Sequence, residues 1–298
     1  MIRFVGFGKR FGAQRAVDSL ALDVERGEAV ALLGPNGSGK TTTLKAAAGL
    51  IRPTEGEVLL GDPGRTSRDP EARRLISFLP QRVTFPEALT GREALEFYRA
   101  LRGAPKSRVD EVLKFASLNG AGSRAVGTYS GGMVQRLGLA VAVLPDAPIL
   151  LLDEPTAALD PDGLTAFYGV VERHHRDGKT ILFTSHQLGD AERLADRIAV
   201  LVEGRLVATL TSRELADRLA DRGVMRVRVS GLGDRTWGEV KVIAPGTVRA
   251  GDELVVPGSA ARRPAVLDAI RAGGAEVKAI TAEEGRLDAL YRDLVRTP

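Results

Sequence analysis

A glycine-rich loop between an apolar strand and a predicted helix is the first segment that could do chemistry. Residues 34–42 are GPNGSGKTT, which fits the pattern G-x-x-x-x-G-K-[ST]. Such a loop wraps the β-phosphate of a nucleotide in backbone amides, while Lys40 reaches the β- and γ-phosphates and the Thr41 hydroxyl binds Mg²⁺. The alternative, a glycine-rich turn with an exposed lysine, is disfavoured by the flanking strand and helix. The predicted nucleotide-binding residues are Gly34, Pro35, Asn36, Gly37, Ser38, Gly39, Lys40, Thr41 and Thr42.

Two acidic residues end a second apolar strand. The segment ILLLDEP places Asp153 directly after four apolar residues and Glu154 next to it. Carboxylates at the end of a buried strand are costly unless a cation or a function retains them. We therefore expect Asp153 to hold Mg²⁺, usually through water, and Glu154 to polarise the attacking water. The alternative is an acidic pair at a helix start that is stabilised only by the helix dipole.

A histidine follows the next apolar strand, in the segment TSHQ. Because parallel strands end at one edge of a sheet, we expect His186 to lie beside Glu154, to hydrogen-bond the γ-phosphate and to fix the attacking water. The alternative is a structural histidine without a ligand. His174 and His175 precede a glycine at a predicted helix end, and we expect them to be surface residues that the helix dipole favours.

A second anion site is predicted about ninety residues after the first. The segment TYSGGMVQRLGLA begins with Ser130, Gly131 and Gly132 and continues with helical periodicity. The first amides of such a helix have no partners within the helix and lie beside a serine hydroxyl, which together favour an anion. The alternative is a capped helix start without a ligand.

These residues require a scaffold that brings strand ends together. Apolar strands at 28–34, 149–153 and 180–185 alternate with amphipathic helices, which predicts a parallel sheet covered on both faces. Strand-like alternation also marks the first 25 residues. Thr90 and Glu93 form a predicted capping box at a helix start in the segment between the two anion sites. The sequence therefore predicts an α/β fold.

The chain changes character after about residue 211. Short alternating segments (MRVRVSG, GEVKVI, DELVVPG and AEVKAI) are predicted strands, with helices predicted at about 261–272 and at 286–296. We interpret residues 222–298 as a small α+β domain that could regulate the preceding domain, bind a partner chain or stabilise a dimer.

Composition excludes several classes of function. The 298 residues include no cysteine, which excludes disulfides and thiolate metal sites. With only three histidines and three methionines, a metal-carrying role is also disfavoured. Lys plus Arg is 42 and Asp plus Glu is 38, and no basic block indicates nucleic-acid binding. Apolar runs end far below the roughly 20 residues of a membrane span, and the first residues lack the apolar run of a signal peptide. We expect a protein that lacks its own membrane span.

The ordered motifs resemble those of ABC-type ATPases over about residues 1–210. The series is the phosphate loop, Gln81 in LPQ, YSGGM, ILLLDEP, AALD and His186. The resemblance implies an ABC-type P-loop ATPase domain at 1–215, with a mostly parallel core sheet, an antiparallel N-terminal sheet and a helical subdomain at about 85–143. Residues 222–298 would form an accessory domain, and ATP and Mg²⁺ would be the cofactors.

The resemblance also implies roles for individual residues. Ser130, Gly131 and Gly132 match a signature loop that binds the γ-phosphate of the ATP held by a second copy, in a head-to-tail dimer around two ATP. Phe11 matches a ring that stacks on adenine, and a core phenylalanine is the alternative. Gln81 matches a catalytic and metal-sensing residue that also touches the transport partner, and Asp160 matches the loop that crosses the dimer interface. Tyr129 and Met133 depart from the family's usual Leu and Gln, which puts in doubt only the finer packing of that interface and an assignment to the commonest importer subgroup.

The resemblance implies a subunit that serves a separate transmembrane permease, located in the cytoplasm on the inner face of the cell membrane. The segments RRLISFLPQRVTFPEALTGREAL, YSGGMVQRLGLA and RLDALYRDL are similar to NosF-like ATPases, which act in copper-centre maturation of nitrous oxide reductase. The alternatives are a general exporter ATPase for a drug or lipid and, in another class, an ABC ATPase of translation or DNA repair. Tandem ATPase units or long coiled coils would indicate the last class, and the sequence has neither.

Overall fold

The computed structural model describes residues 1–157, 159–258 and 260–283, together with residues 285, 287, 290 and 291. The chain divides into two compact units, Met1–Ser212 and Arg213–Pro298. In the described part of the chain, no helix is both long enough and apolar enough to cross a bilayer.

The first unit is built from strands and helices that alternate along most of its length. Its strands are β1 (Ile2–Phe11), β2 (Gln14–Val24), β3 (Ala29–Leu33), β4 (Glu55–Leu60), β5 (Arg65–Thr66), β6 (Ile76–Leu79), β7 (Ile149–Asp153), β8 (Thr180–Ser185), β9 (Arg197–Val202) and β10 (Arg205–Thr211). Its helices are α1 (Lys40–Ala47), α2 (Pro70–Arg74), α3 (Gly91–Arg102), α4 (Ser107–Phe115), α5 (Gly131–Val143), α6 (Pro161–Arg176) and α7 (Leu188–Leu194).

A six-stranded sheet forms the centre of this unit. Its strand order is β10-β9-β3-β8-β7-β6, and every neighbouring pair is parallel except β10 with β9. Every residue of β3, β7 and β8 is buried, because helices or the second sheet cover both faces. The apolar runs in the sequence are therefore the central strands, and the predicted core sheet is confirmed.

A second sheet covers part of the first. Strands β2, β1, β4 and β5 pair in that order, all antiparallel. Phe4 and Phe7 of β1 are buried in one cluster with Leu44 of α1 and Leu182 of β8. This apolar layer fixes α1, and with it the phosphate loop, between the two sheets. The predicted antiparallel N-terminal sheet is confirmed.

Helices α3, α4 and α5 form the helical subdomain. The Thr90 hydroxyl accepts a hydrogen bond from the Glu93 amide at 3.2 Å, and the Glu93 carboxylate accepts one from the Thr90 amide at 2.8 Å. The predicted capping box is therefore present. Tyr129 donates its hydroxyl to the carbonyl of Ala121 at 2.8 Å, and a Cβ at Gly91 would lie within 2.3 Å of that hydroxyl. Glycine at position 91 thus leaves room for the tyrosine that precedes the signature serine.

After helix α8 (Ser212–Ala220), the described residues of the second unit form a small sheet and two ten-residue helices. The elements after α8 are β11 (Val224–Ser230), α9 (Asp234–Ile243), β12 (Val248–Ala250), β13 (Glu253–Pro257), α10 (Arg263–Ala272) and β14 (Glu276–Glu283). The strand order β12-β13-β11-β14, all antiparallel, is the split β-α-β-β-α-β arrangement. The predicted helix near 261–272 is α10.

One strand prediction in this unit is wrong. The segment GEVKVI lies in α9, where Trp237, Val240 and Ala244 recur at helical spacing against the core. A strand with this alternation would bury Val242 together with Val240, but the Val242 side chain is 82% exposed. The six alternating residues are therefore part of a ten-residue helix. The predicted closing helix at 286–296 lies largely outside the described residues.

Candidate nucleotide site

The phosphate loop lies at the carboxyl end of the central sheet, between β3 and α1. It borders a cavity of about 400 Å³. Helix α1 begins at Lys40 after Gly39, without a side-chain cap, so its first amides are free to bind an anion. The residues that line the cavity are Phe11, Gln14, Ala16, Asn36, Gly37, Ser38, Gly39, Lys40, Thr41, Thr42, Gln81 and Glu154. Most of the predicted loop residues are therefore in one place.

Two of the loop glycines are required by close backbone contacts. A Cβ at Gly34 would lie 2.1 Å from the carbonyl oxygen of Leu201. A Cβ at Gly39 would lie 2.5 Å from the carbonyl oxygen of Ala16, and its φ of 97° is in the left-handed region. The loop is thus pressed against its neighbours, and its shape is set before a ligand arrives.

Lys40 is the buried cation of this loop. Its Nζ donates to the carbonyls of Gly34 at 2.7 Å and Pro35 at 3.0 Å. Burial lowers the pKa of Lys40, and the nearby carboxylates of Glu154 and Asp153 oppose that shift. Neutral carbonyls satisfy the ammonium only in part, so phosphate oxygens would be stronger partners for it.

Asp153 is fully buried and has one free oxygen. Its Oδ1 accepts hydrogen bonds from Thr41 Oγ1 at 2.9 Å and Thr184 Oγ1 at 2.8 Å. Its Oδ2 is buried without a hydrogen-bond partner in the part of the chain that the structure describes. Burial raises the pKa of this carboxyl, although both hydroxyls act against the rise. An unpartnered carboxylate oxygen beside a threonine hydroxyl fits Mg²⁺, which prefers hard oxygen ligands.

We expect Asp153→Asn to raise the melting temperature of the metal-free protein at pH 7 by about 2–4 °C. A gain of ~1 kcal/mol in the free energy of unfolding gives a shift of that size in a domain of this length. The pKa of Asp153 is higher in the folded than in the unfolded protein. The free energy of unfolding therefore falls as the pH rises from the unfolded pKa to the folded one, and the whole destabilisation by the buried charge is present at any higher pH. Asparagine keeps the acceptor for Thr41 and Thr184 and carries no charge.

Thermal unfolding in EDTA measures this effect, and the difference between the proteins should shrink as the pH is lowered. Asp110→Asn is a matched control, because the Asp110 side chain is 73% exposed and pairs with Arg92. A metal-free Asp153→Asn protein that melts below the wild type would contradict the expectation. Added Mg²⁺ and ATP should stabilise the wild type more than the variant.

Glu154 lies at the centre of a cluster of polar side chains at the strand ends. Its φ of 45° is unusual for a residue with a side chain, and its amide donates to Thr184 Oγ1 at 2.8 Å. Its Oε2 accepts a hydrogen bond from Gln81 Nε2 at 2.8 Å and lies 3.8 Å from His186 Nδ1. The structure therefore brings together Gln81, Glu154 and His186, which are far apart in the chain.

Phe11 lies at the rim of the cavity and is 52% exposed. The Lys9 ammonium lies over its ring, 5.0 Å from the centroid. The alternative of a core phenylalanine is therefore wrong. Stacking of this ring on adenine stays a prediction.

The signature residues lie apart from the cavity of their own chain. Ser130 caps α5 and accepts a hydrogen bond from the Met133 amide at 3.3 Å. Asp160 caps α6 and accepts one from the Gly163 amide at 2.8 Å. Among the described residues, neither of these side chains nor Gly131 or Gly132 lines the cavity. The capped helix start is confirmed, and the γ-phosphate role of these residues stays a prediction.

Sequence reasoning missed the polar residues that support the acidic pair. Thr184 bonds both Asp153 and the Glu154 amide, and Ser185 beside it bonds Asp190 at 2.9 Å. The sequence feature that could have indicated these contacts is the pair of hydroxyl residues, Thr184 and Ser185, at the end of a mostly apolar strand. The partners of these hydroxyls lie on other elements, so the sequence alone did not identify them.

The surface prediction for His174 is wrong. Its side chain is buried and stacks on Phe115 with centroids 6.4 Å apart, and burial lowers its pKa. His175 is partly exposed and lies 2.9 Å from Asp196. Adjacent helix residues point about 100° apart, so one of the two faces the core and the other the surface.

Comparisons with known proteins agree with this geometry. A family model described as ABC transporter matches residues 17–157. The chain is 37% identical to the daunorubicin/doxorubicin resistance ATP-binding protein DrrA of Streptomyces peucetius, over 78% of this chain and 72% of that protein. It is 40% identical to the Nod factor export ATP-binding protein I of Burkholderia lata, over 70% of this chain and 69% of that protein. A solved dimeric cassette in a post-hydrolysis state, bound to ADP and Pi, matches with a TM-score of 0.65 at 29% identity, over 72% of this chain and 99% of that one.

Proposed function

The chain belongs to the ATP-binding subunits of ABC transporters and is an ATP hydrolase, and from that premise we propose that it is the motor subunit of an exporter whose membrane-spanning part is a separate chain. The observation that carries the proposal is the polar group at one sheet edge. There, Gln81, Glu154 and His186 lie beside a pre-shaped phosphate loop.

Each side chain of the site has a distinct proposed task. Lys40 binds the β- and γ-phosphates, and Thr41 and Asp153 hold Mg²⁺, which would neutralise phosphate charge when bound. Glu154 orients the attacking water and takes up its proton, while His186 holds the γ-phosphate. Gln81 donates to the Glu154 carboxylate and so fixes its direction. The catalysis proposed is thus mainly positioning and charge stabilisation.

We propose further that two copies close head-to-tail around two ATP molecules. The support is that the start of α5 is exposed and glycine-rich and does not line the cavity of its own chain, so its amides could bind an anion held by another copy. A similar cassette has been solved as a dimer. If each γ-phosphate contacts both chains, ATP favours the closed dimer and hydrolysis removes the bridge. Opening and closing would then drive the membrane subunit.

The membrane subunit would place this chain in the cytoplasm, on the inner face of the cell membrane. The similar proteins are named for daunorubicin/doxorubicin resistance in one case and for Nod factor export in another. One type of ATPase site thus accompanies different substrates, so the substrate path is expected to lie in the partner chain.

A narrower proposal concerns copper-centre maturation of nitrous oxide reductase. The segments RRLISFLPQRVTFPEALTGREAL and YSGGMVQRLGLA favour it through their similarity to NosF-like ATPases. The third similar segment, RLDALYRDL, lies largely outside the described residues. In such a system this chain would supply energy, and the transported species would bind the partner.

A pull-down from the native host tests both levels of the proposal. Tagged Glu154→Gln protein is trapped with ATP in mild detergent, and the same protein without nucleotide is the control. A membrane protein of several helices that is recovered only with ATP would support the exporter proposal. Co-recovery of a periplasmic copper or nitrous oxide reductase assembly factor would support the narrower one. Ribosomes or DNA, without a membrane protein, would contradict the transport proposal and leave the ATPase.

A further inference from the structure

A buried carboxylate joins the two loops that carry Glu154 and His186. Asp190, in α7, is 2% exposed. Its Oδ2 accepts hydrogen bonds from Thr156 Oγ1 at 2.7 Å and Ser185 Oγ at 2.9 Å. Its Oδ1 accepts one from the Tyr168 hydroxyl at 2.7 Å. We refer to these four residues as the Asp190 hub.

Two of the three donors lie within two residues of proposed catalytic residues. Thr156 follows Glu154 by two positions, and Ser185 directly precedes His186. The Ser185 hydroxyl also accepts a hydrogen bond from the Gln187 amide at 2.9 Å, which fixes the backbone on the far side of His186. One carboxylate oxygen therefore holds both loops at positions adjacent to their reactive side chains.

The third donor anchors the hub to α6. Burial and the hydrogen bond to Asp190 raise the pKa of Tyr168 to about 12, so the phenol remains a donor at neutral pH. Arg193 lies over the tyrosine ring, 4.1 Å from its centroid. The anchor comes from a helix that carries none of the proposed catalytic side chains.

A buried carboxylate is costly unless hydrogen bonds satisfy it, and here three hydroxyls do so. A fully satisfied buried network makes the segments it joins rigid. His186 Nδ1 is 3.8 Å from Glu154 Oε2, a separation that depends on the two loops keeping their register. The hub joins those loops through groups that have no proposed part in the reaction, in addition to the hydrogen bond from the Glu154 amide to Thr184 Oγ1.

We propose that Asp190 is a positioning residue that holds the Glu154 and His186 loops in register for ATP hydrolysis. The inference rests on the roles proposed above for Glu154 and His186. Asp190 itself lies outside the cavity and acts through Thr156 and Ser185.

The first test compares Asp190→Ala with Tyr168→Phe in steady-state phosphate release. Asp190→Ala releases both loops, and its kcat should fall about 10- to 100-fold, because misplacement by about 1 Å can cost that much. Its KM for ATP should stay within about twofold, since the phosphate loop lies on other elements. Tyr168→Phe removes a hydrogen bond from the same carboxylate but leaves both loop hydroxyls bound. Its kcat should stay within about threefold of the wild type.

A purely structural role for Asp190 predicts a different pattern. Both variants would then lose melting temperature and active sites together, and kcat per bound nucleotide would not change. Equal kcat losses in the two variants, or an unchanged kcat in Asp190→Ala, would overturn the proposal. If Asp190→Ala does not fold, Thr156→Val and Asp190→Asn replace it. Thr156→Val should lose kcat, whereas Asp190→Asn keeps an acceptor for both loops and should retain most of it.

A double-mutant cycle separates this proposal from the proposed role of Glu154. Residues that act as a unit are non-additive, so Asp190→Ala should cost little further turnover in a Glu154→Gln background. A full further loss there would mean that Asp190 acts independently of Glu154 and would overturn the inference. Wild-type turnover by Glu154→Gln alone would instead overturn the role of Glu154.

Discussion

Replacing Glu154 by glutamine is expected to lower ATP turnover by about 10²- to 10⁴-fold, the range that a general base contributes. The amide can occupy the place of the carboxylate between Gln81 and His186, but it cannot take up a proton from water. ATP binding should be preserved, because the phosphates are proposed to contact Lys40 and the loop amides rather than Glu154. The closed, ATP-bound dimer should therefore accumulate in this variant.

Phosphate release measures the turnover, and a fluorescent ATP analogue measures the binding. Glu111→Gln is the matched control, since Glu111 is an exposed residue of α4 that pairs with Arg108. That variant should hydrolyse ATP like the wild type. Normal turnover by Glu154→Gln, with the control also normal, would exclude Glu154 as the residue that activates water.

The sequence predicts the parts of this site whose structure is local. The phosphate loop needs glycines at Gly34 and Gly39 because neighbouring carbonyls leave no room for a side chain, so the pattern itself carries the geometry. The apolar strands that end at Asp153 and Ser185 are equally visible, because both faces of the central sheet are covered. Motif order and strand ends are therefore sufficient to predict the fold and the acidic pair.

The sequence does not predict features that depend on which face of a helix is covered. In α9 a short alternation suggested a strand, although Trp237 and Val240 follow a helical period. In α6 the two adjacent histidines look alike in sequence, but only His174 is buried. From the sequence, Asp190 looks like an ordinary surface aspartate in the first turn of a short helix. Its role depends on hydroxyls from three other segments, which only the folded chain brings together.

These contacts indicate that different interactions hold the phosphate loop and the proposed catalytic side chains in place. The phosphate loop is held by backbone contacts and is set for binding. Glu154 and His186 are held by side-chain hydrogen bonds through Thr184 and the Asp190 hub. Substitutions of the loop glycines, which set its shape, should therefore mainly raise the KM for ATP, and substitutions in the hub should mainly lower kcat, since binding and positioning depend on different contacts. If two copies close around ATP as proposed, the second chain would complete the site.

Replacing Ser130 by arginine is expected to abolish ATP-driven dimerisation and to lower turnover at least about 100-fold, as losing preorganised anion donors does. The new side chain would fill the predicted anion site at the start of α5, where Ser130 is exposed. ATP binding to the monomer should persist, because these residues do not line its cavity. Ser130→Ala is the matched control: it loses the cap, which costs about 1 kcal/mol, but adds no bulk. Gel filtration with ATP should show weakened dimerisation for the alanine variant and none for the arginine variant.

Mixing two inactive variants tests whether the site is shared between chains. Lys40→Ala removes the cation of the phosphate loop, and Ser130→Arg blocks the signature loop. A mixed dimer contains one site with an intact Lys40 from one copy and an intact Ser130 from the other. Turnover should therefore reappear on mixing, although neither variant shows it alone, and Lys40→Ala mixed with itself provides the baseline. If mixing restores nothing while each variant still folds and the arginine variant still binds ATP, the γ-phosphate site is not built from two copies of this chain. Recovery would assign the second anion site at residues 130–132 to the nucleotide held by the neighbouring copy.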